Sequence, residues 1–504
     1  MPKRDLYAAI DLGSNSFHLV VARKEHGELR VIDQLKDMVR LAGGLDHRGH
    51  LDAVTAKQAL ASLARFGERI QGIPDQHIRA VGTQTFRRLA QRDAFLSMAE
   101  RALGAPIEII GGREEARLIY RGVCQGMANE DVPKLIIDVG GGSTEVVLGQ
   151  GHPPTLAESL PMGCVGLTRK YFGDGTITAD AWTRGREKVM ADAQTLAAQV
   201  KGHSWQQAIG TSGTARALIK IAQTLAPAGS TGLTPAAMED IRDRLLDAGH
   251  IDAIDLPDLS ERRRPVIAGG ALIIEALIKA LDIQHIAASP FALREGLLHD
   301  LMARLDPKDA QHNPRHSTVE AMLERYQCDR AQADRVSRWA LAGWDATAQA
   351  WSLPTVSREL LAGACNVHEL GLSIAHEHYH LHSGYVLAHA DMPGFSQTEQ
   401  RVMATLARGQ RGKPDPALLD TLPERLQTTT RRLLMLMRLA VALSRARNDD
   451  WPSPIHWQPT DSALCLTLPA AWLQARPLTQ RDLMVEVDQV QRLHCALTIE
   501  TSAE

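Results

Sequence analysis

The chain has 504 residues, enough for about three or four domains, and 44% of them are hydrophobic, so a large core can form without disulfide or metal staples. The formal net charge of −3 excludes a molecule-wide positive field, so any basic binding surface must come from local clustering. The six cysteines are scattered with no Cys-x-x-Cys pair, which excludes a zinc ribbon and gives no sign of a disulfide framework. Because the first residues lack an apolar signal core and no run approaches the roughly 20 apolar residues of a membrane span, we expect a reduced, cytoplasmic protein, with peripheral membrane association left open.

The first third of the chain alternates between strand and helix patterns. Three apolar runs predict a strand meander, and helix, strand, helix, strand and helix follow it, which is the order of a layered α/β domain. The predicted strands are residues 7–10, 17–22, 29–35, 77–81 and 107–110, and the predicted helices are about 55–71, 85–103 and 113–126.

The same order restarts near Lys134, which predicts a duplicated domain. Its predicted strands are near 135–138, 144–148, 155–160, 207–209 and 283–287, and its first helices are near 179–200 and 214–224. Beyond about residue 306 the strand signals stop and helices follow one another, ending with a basic amphipathic segment at 431–447. Alternating runs at 463–468 and 494–500 predict a small α+β tail.

Two of the predicted strands lead into an acidic, glycine-rich loop. The loops are Asp11-Leu-Gly-Ser-Asn-Ser and Asp138-Val-Gly-Gly-Gly-Ser-Thr-Glu. Turns of small residues expose backbone N–H groups that bind phosphate oxygens, and a neighbouring carboxylate can hold the accompanying divalent cation. One such loop is most often an ordinary strand-to-strand turn, but its repetition indicates two half-domains that grip one phosphorylated ligand.

Two further strand ends open helices with small or hydroxyl residues. Gly210-Thr-Ser-Gly-Thr fits an anion or nucleotide seat, and equally a tight strand–helix connection with a Ser or Thr cap. Gly82-Thr-Gln-Thr-Phe-Arg places hydroxyls and a guanidinium where phosphate oxygens could bind, and otherwise is a capped helix.

Charged residues on the helix after Gly112 also have two interpretations. Glu114 and Glu115 in its first turn suit the helix dipole and could simply face water, or one of them could be a base beside the phosphate loops. Arg113, Arg117 and Arg121 form a stripe that is a solvated face or a guide for a polyanion.

The helical region contains a histidine cluster. Its members are His368-Glu369, His376, His378, His380, His382, His389 and Asp391. Alternating histidines cannot all share one helical face, so we favour surface or core histidines over a metal site.

Taken together, the motifs are spaced as in the exopolyphosphatase / guanosine pentaphosphate phosphohydrolase family, which the chain resembles nearly from end to end. The motifs that carry the resemblance are Asp11-Leu-Gly-Ser-Asn-Ser-Phe-His, Gly82-Thr-Gln-Thr-Phe-Arg, Glu114-Glu115-Ala-Arg, Asp138-Val-Gly-Gly-Gly-Ser-Thr-Glu, Gly210-Thr-Ser-Gly-Thr and Ala292-Leu-Arg-Glu-Gly. The resemblance implies an α/β fold of duplicated actin-like (ribonuclease H-type) domains, followed by an all-α HD-like domain and a small α+β C-terminal domain. The corresponding ranges are 1–125, 126–305, 306–447 and 448–504.

The resemblance also implies roles for individual residues. Glu115 would be the base that activates water, with Glu145 as the second catalytic carboxylate. Asp11, Asp138 and Glu145 would hold or orient Mg²⁺, and K⁺ is a candidate activator. The residues implied to line the phosphate path are Ser14, Asn15, Thr83, Arg87, Gly140, Gly141, Gly142, Ser143, Ser212, Gly213 and Thr214.

The leading hypothesis is an Mg²⁺-dependent exopolyphosphatase that removes terminal phosphates from linear inorganic polyphosphate. The alternative is hydrolysis of guanosine pentaphosphate, a substrate of the stringent response, to the tetraphosphate, or both activities. A kinase is disfavoured because the paired glutamates fit water activation, and a binder because it would need no base. Gly142 and the His376-x-x-x-His380-x-His382 segment are expected on the exopolyphosphatase side, since the pentaphosphate enzymes more often have Gly-Gly-Ala-Ser.

The expected partners follow from the same resemblance. A homodimer is implied, and no nucleic-acid partner is expected. The helical region has His368-Glu369 where an HD hydrolase has His-Asp, so we interpret it as structural or polymer-guiding.

Overall fold

Two five-stranded mixed sheets with the same strand order form the first part of the chain. The structure is a computed structural model that describes residues 5–25, 28–127, 132–225, 231–305, 313–461 and 463–502. The chain divides into two compact units, Met1–Ala310 and Gln311–Glu504.

The first sheet contains the predicted meander and the two strands that follow it. Its elements in chain order are β1 (Leu6–Leu12), β2 (Phe17–Glu25), β3 (Glu28–Asp37), α1 (Ala53–Ile70), β4 (Ile78–Gly82), α2 (Gln84–Arg88), α3 (Arg92–Leu103), β5 (Ile107–Ile109) and α4 (Gly112–Gly126). The strand order is β3-β2-β1-β4-β5; β1–β3 pair antiparallel, and β4 and β5 are parallel to β1. β1 is apolar along its length because Ile10 packs on one face of the sheet with α1 and α3, while Ala9 packs on the other face with α4.

The second sheet repeats this arrangement. Its elements are β6 (Lys134–Val139), β7 (Thr144–Gly149), β8 (Leu156–Leu160), α5 (Cys164–Tyr171), α6 (Ala179–Asp192), α7 (Gln194–Lys201), β9 (Gln207–Gly210), α8 (Gly213–Leu225), α9 (Pro235–Ala248), α10 (Arg264–Leu281), β10 (Ile286–Ala288) and α11 (Leu293–Leu305). The order β8-β7-β6-β9-β10 has the same antiparallel and parallel pairings as the first sheet. The duplicated α/β part of the predicted fold is therefore confirmed.

Helices α4 and α11 lie between the two sheets. One buried apolar cluster joins Ala9 and Val81 of the first sheet, Ile136 of the second, and residues of both helices. The helices touch backbone to backbone, because a Cβ added at Gly296 would overlap the carbonyl oxygen of Leu118. The two halves thus share a core that fixes the position of α4.

Two predicted helices are wrong in their extent: the helix predicted near 179–200 is α6 followed by α7, and the helix predicted at 85–103 is also divided. The pattern at 85–103 predicts a single helix, whereas the structure has α2 and α3 with a break between them. The backbone N–H of Ala90 donates to the carbonyl oxygen of Gly49 at 2.9 Å, a partner outside the helix. A tertiary hydrogen bond of this kind has no local sequence signal.

The second unit is helical with a three-stranded sheet. Its elements are α12 (Pro314–Arg325), α13 (Arg330–Thr347), α14 (Thr355–Asn366), α15 (Tyr379–His389), α16 (Gln397–Gly409), α17 (Ala417–Asp420), α18 (Glu424–Leu443), β11 (His456–Pro459), β12 (Ala463–Pro469), α19 (Ala470–Gln474), α20 (Pro477–Gln491) and β13 (Ala496–Ser502). β12 pairs antiparallel with β11 and parallel with β13, and the helices and the sheet share one core. The HD-like character and the domain boundaries stay predictions, and residues 306–312, where one boundary was predicted, lie outside the described residues.

The histidines of the cluster at 368–389 differ in their burial. His368 is buried with Nδ1 2.6 Å from the carbonyl oxygen of Cys365, while His376, His378 and His389 are exposed.

Across the described parts of both units, no helix is long and apolar enough to cross a membrane.

Candidate active site

The two glycine-rich loops meet at one cavity of about 310 Å³ in the first unit. Both loops form the same turn: the N–H of Gly13 donates to the Ser16 carbonyl oxygen at 3.2 Å, and that of Gly140 donates to the Ser143 carbonyl oxygen at 2.9 Å. The predicted site residues that line the cavity are Asp11, Ser14, Asn15, Thr83, Glu115, Asp138, Gly140, Gly141, Gly142, Ser143, Glu145, Ser212, Gly213 and Thr214. Arg87 is the one predicted residue that is not part of the lining.

The loops approach closely because their residues are small. A Cβ on Gly141 would lie 3.3 Å from the Cβ atoms of both Ser14 and Asn15, and a Cβ on Gly142 would overlap Oε1 of Gln84. Thr85 Oγ1 donates to Ser14 Oγ at 2.7 Å, which fixes the first loop against α2. The backbone N–H groups of both halves can therefore act on the same ligand.

Four carboxylates from four different elements line the cavity. Asp11 and Asp138 occupy equivalent places near the ends of β1 and β6, and Glu145 on β7 is the cross-strand partner of Asp138. Glu115 comes from the first turn of α4. Duplication thus brings acids that are far apart in sequence to one place.

Burial raises the pKa of each of these groups, and repulsion from neighbouring carboxylates adds to this effect for Asp11, Glu115 and Glu145. Burial, with the charges of Glu115 and Asp138 added, raises the pKa of Asp11 to about 7. Burial likewise raises the pKa of Glu115 to about 7, although Arg87 acts in the opposite direction. The pKa of Glu145 lies well above its ordinary value, chiefly through burial. Burial also raises the pKa of Asp138, against a hydrogen bond donated by Thr211 Oγ1.

The carboxylates fit a hard divalent cation that retains water ligands. Oδ1 of Asp11 is buried with no hydrogen-bond partner among the described residues, which leaves a free carboxylate oxygen. Among the described residues, no group of three or more His, Cys, Asp or Glu side chains is arranged so that it could hold a metal ion by itself. Mg²⁺ commonly uses one or two carboxylates, water and substrate phosphates, so this donor set suits it. The assignment of Asp11, Asp138 and Glu145 as its ligands stays a prediction.

The two adjacent glutamates of α4 have different surroundings. Arg87 Nη1 donates to Glu115 Oε2 at 3.1 Å and to the carbonyl oxygen of Ile110 at 2.7 Å, so Arg87 reaches the site through Glu115. Glu114 instead accepts from Arg117 Nε at 2.7 Å, within a buried ion network around Asp300. Of these two glutamates, Glu115 is the one that lines the cavity, and its role as a base stays a prediction.

The third predicted loop caps a helix and also borders the cavity, and its role as an anion seat stays a prediction. Ser212 Oγ accepts from the N–H of Ala215 at 3.0 Å, as a helix cap does. The same residue lines the cavity beside Thr211, whose hydroxyl donates to Asp138. The loop is thus a capped strand–helix connection that also borders the site.

Five basic residues that were not among the predicted site residues line the same cavity, and one of them, Arg294, lies in the Ala292-Leu-Arg-Glu-Gly motif. They are Lys36, Arg216, Arg262, Arg263 and Arg294. The side chains of Lys36, Arg216, Arg262 and Arg263 have no ion pair within the described residues, and burial, followed by neighbouring positive charges, lowers the pKa of Lys36. The arginine run 262–264 was a usable sequence signal, whereas Lys36 and Arg216 reach the site only through the fold.

Two family models match most of the chain. The model described as the Ppx/GppA phosphatase family matches residues 20–305, and that described as Ppx/GppA phosphatase, domain III, matches residues 315–487. A crystal structure of an exopolyphosphatase from Cytophaga hutchinsonii is similar at 23% identity and a TM-score of 0.53, over 59% of this chain and 97% of that chain. An exopolyphosphatase-like protein is similar at 24% identity and a TM-score of 0.53, over 60% of this chain and 98% of that chain. At identities below 25%, these two structural similarities show a shared fold alone.

Proposed function

This chain belongs to the Ppx/GppA phosphatase family, a family of phosphoanhydride hydrolases, and on that premise we propose that it is an Mg²⁺-dependent exopolyphosphatase. The reaction would hydrolyse the terminal phosphoanhydride of linear inorganic polyphosphate. The products would be inorganic phosphate and a chain shorter by one unit.

The observation that carries this proposal is the division of charge within the cavity. Buried acids and the glycine-rich turns can surround the reacting phosphate, while cations without ion-pair partners in the described residues line the rest of the same space. Polyphosphate carries charge on every unit, so binding beyond the terminal phosphate would use such cations. A second groove shares Lys36, Met38 and Arg262 with the cavity and is also lined by Arg40, which offers a path for the rest of the chain.

The chemistry requires a base near the phosphate. Glu115 would accept a proton from the attacking water as the new O–P bond forms and the terminal P–O–P bond breaks. A pKa of about 7 suits a general base at neutral pH, and Arg87 holds the carboxylate in place. When bound, Mg²⁺ would neutralise phosphate charge beside the carboxylates.

Guanosine pentaphosphate is the second candidate because it also ends in a phosphoanhydride. No Phe, Tyr or Trp side chain lines the cavity within the described residues, which leaves little to stack on guanine and favours polyphosphate. The homodimer, the K⁺ requirement and the peripheral membrane association stay predictions.

The test is phosphate release with Mg²⁺ from long-chain polyphosphate and from guanosine pentaphosphate at matched terminal-phosphate concentration. We expect much faster release from polyphosphate. Faster release from the pentaphosphate would assign the second function, and no release from either would indicate a binder or a kinase.

The matched variants are Glu115→Gln and Glu187→Gln, which remove the same charge from the cavity and from an exposed position on α6. Glu115→Gln should abolish turnover, with a loss of about 10²-fold or more, and leave polyphosphate binding intact. Glu187→Gln should match the unchanged enzyme. Residual hydrolysis with weakened binding in Glu115→Gln would place the base elsewhere.

A further inference from the structure

The cavity contains a chain of hydrogen bonds that the roles above do not use. Nη1 of Arg294 lies 3.3 Å from Nδ1 of His18, and Nε2 of His18 lies 2.8 Å from Oγ of Ser16. The three residues come from α11, β2 and the first glycine-rich turn, and all three line the cavity.

The direction of each hydrogen bond follows from the arginine. A guanidinium has only donors and stays protonated, so Nδ1 of His18 must accept from Arg294. A neutral imidazole that accepts at Nδ1 carries its proton on Nε2, and it therefore donates to Ser16 Oγ. The hydroxyl proton of Ser16 has no acceptor within the described residues, so it remains available to a ligand.

The surroundings keep the imidazole neutral. Burial, followed by the positive charges of Arg294, Lys36, Arg216 and Arg263, lowers the pKa of His18 to about 3. The acidic neighbour across the sheet is Asp11, which is the β1 partner of His18. The donor and acceptor assignments therefore hold throughout the neutral pH range.

The duplication indicates why a neutral group occupies this place. In the second sheet the partner of Asp138 is Glu145, whereas in the first sheet the partner of Asp11 is His18. A carboxylate at His18 would add a fifth acid to the cavity and would repel phosphate. The first half thus presents a hydrogen-bond donor where the second half presents a charge.

We propose that Ser16 donates a hydrogen bond from its hydroxyl to a phosphate oxygen of bound polyphosphate, and that His18 and Arg294 are positioning residues that impose this direction. This inference rests on the proposed function. It assigns Ser16 as a substrate-binding residue and gives Arg294 of the Ala292-Leu-Arg-Glu-Gly motif a definite task.

The kinetic test compares Ser16→Ala, His18→Leu and His18→Gln on polyphosphate with Mg²⁺. Loss of one hydrogen bond to a charged oxygen should raise KM by about tenfold in Ser16→Ala and His18→Leu, with kcat within about twofold. Glutamine has one acceptor and one donor on its amide, so His18→Gln should restore KM to within about threefold of the unchanged enzyme. An unchanged KM in Ser16→Ala, or a His18→Gln variant no better than His18→Leu, would overturn the proposal.

A second measurement does not depend on activity. Nuclear magnetic resonance of the full chain labelled with ¹⁵N-histidine can report the tautomer, and the signal absent from His18→Gln identifies His18 among the 20 histidines. We expect a protonated Nε2 and a bare Nδ1 that do not change between pH 6 and pH 8. A proton on Nδ1, or a charged ring, would overturn the proposed direction of the hydrogen bonds from Arg294 through His18 to Ser16. This result can be obtained even if the His18→Leu protein fails to fold. If the enzyme without substitutions hydrolyses neither polyphosphate nor guanosine pentaphosphate, the proposed function fails. The resonance measurement still determines the tautomer of His18 in that case, so the two failures can be distinguished.

Discussion

At Gly142 the two phosphate-binding turns approach so closely that one methyl group would disturb them. A Cβ there would overlap Oε1 of Gln84 and lie 2.9 Å from Oγ of Ser14. Gln84 is buried at the start of α2, so its amide has little room to move away. In this chain the third glycine of the second turn thus fits the space that Gln84 and Ser14 of the first half-domain leave.

We therefore expect Gly142→Ala to reduce kcat/KM on polyphosphate by about tenfold, because the methyl group pushes against Gln84 and displaces Ser14, which lines the predicted phosphate path. Gln84→Ala removes the amide that the new methyl group would overlap. In the Gln84→Ala background, Gly142→Ala should therefore lower kcat/KM much less than it does in the enzyme that keeps Gln84. Steady-state kinetics of the four proteins in this cycle measure the coupling. Additive effects would show that the methyl group acts elsewhere.

The sequence identified site residues only where the chemistry is local. Asp138 and Glu145 fall in one short motif and Glu115 in another, so the resemblance to a known family could point to all three. Lys36 lies on β3 and Arg216 on α8, and nothing near either residue marks it as part of a site. They meet only because two sheets pack around shared helices, which is information that a local pattern does not contain.

At the scale of elements, α4 and α11 form the support for Glu115, the proposed base. Asp300 of α11 is fully buried and accepts from Arg117 of α4 at 2.6 Å, which ties the two helices together, and from Arg304 of its own helix at 2.9 Å. The arginines hold the pKa of Asp300 well below its ordinary value against the effect of burial. The sequence predicted α4 but gave no indication of this crossing, because the two helices are far apart in the chain.

The closeness of the crossing can be tested with Gly296→Ala. The new methyl group would overlap the carbonyl oxygen of Leu118, so the helices must separate, and we expect a loss of about 1–3 kcal/mol in the free energy of unfolding. Denaturant-induced unfolding, followed through the transition of the first unit, measures this loss of free energy.

The control is Gly166→Ala on α5, where an added Cβ meets nothing within 4 Å. Alanine is favoured over glycine inside a helix, so this variant should be neutral or more stable by up to about 1 kcal/mol. Equal stability of the Gly296→Ala and Gly166→Ala proteins would mean that the α4–α11 crossing tolerates separation.

At the scale of the whole first unit, duplication concentrates acids from both halves in one buried place. Without a cation the folded state holds protons on Asp11 and Glu115 up to a pKa of about 7, whereas the unfolded chain releases them near 3.8 and 4.5. The folded state therefore binds more protons, and its stability falls as pH rises through this interval.

We expect the metal-free protein to lose about 1–2 kcal/mol of unfolding free energy between pH 6.5 and pH 8, measured by denaturant unfolding in a chelator. Saturating Mg²⁺ should remove or reverse the loss, because the cation binds the deprotonated carboxylates. Asp11→Asn should reduce the pH dependence of the metal-free protein, since one of the two buried acids is gone. A metal-free stability that does not change with pH would mean that the two halves do not bring their carboxylates into a shared, desolvated site.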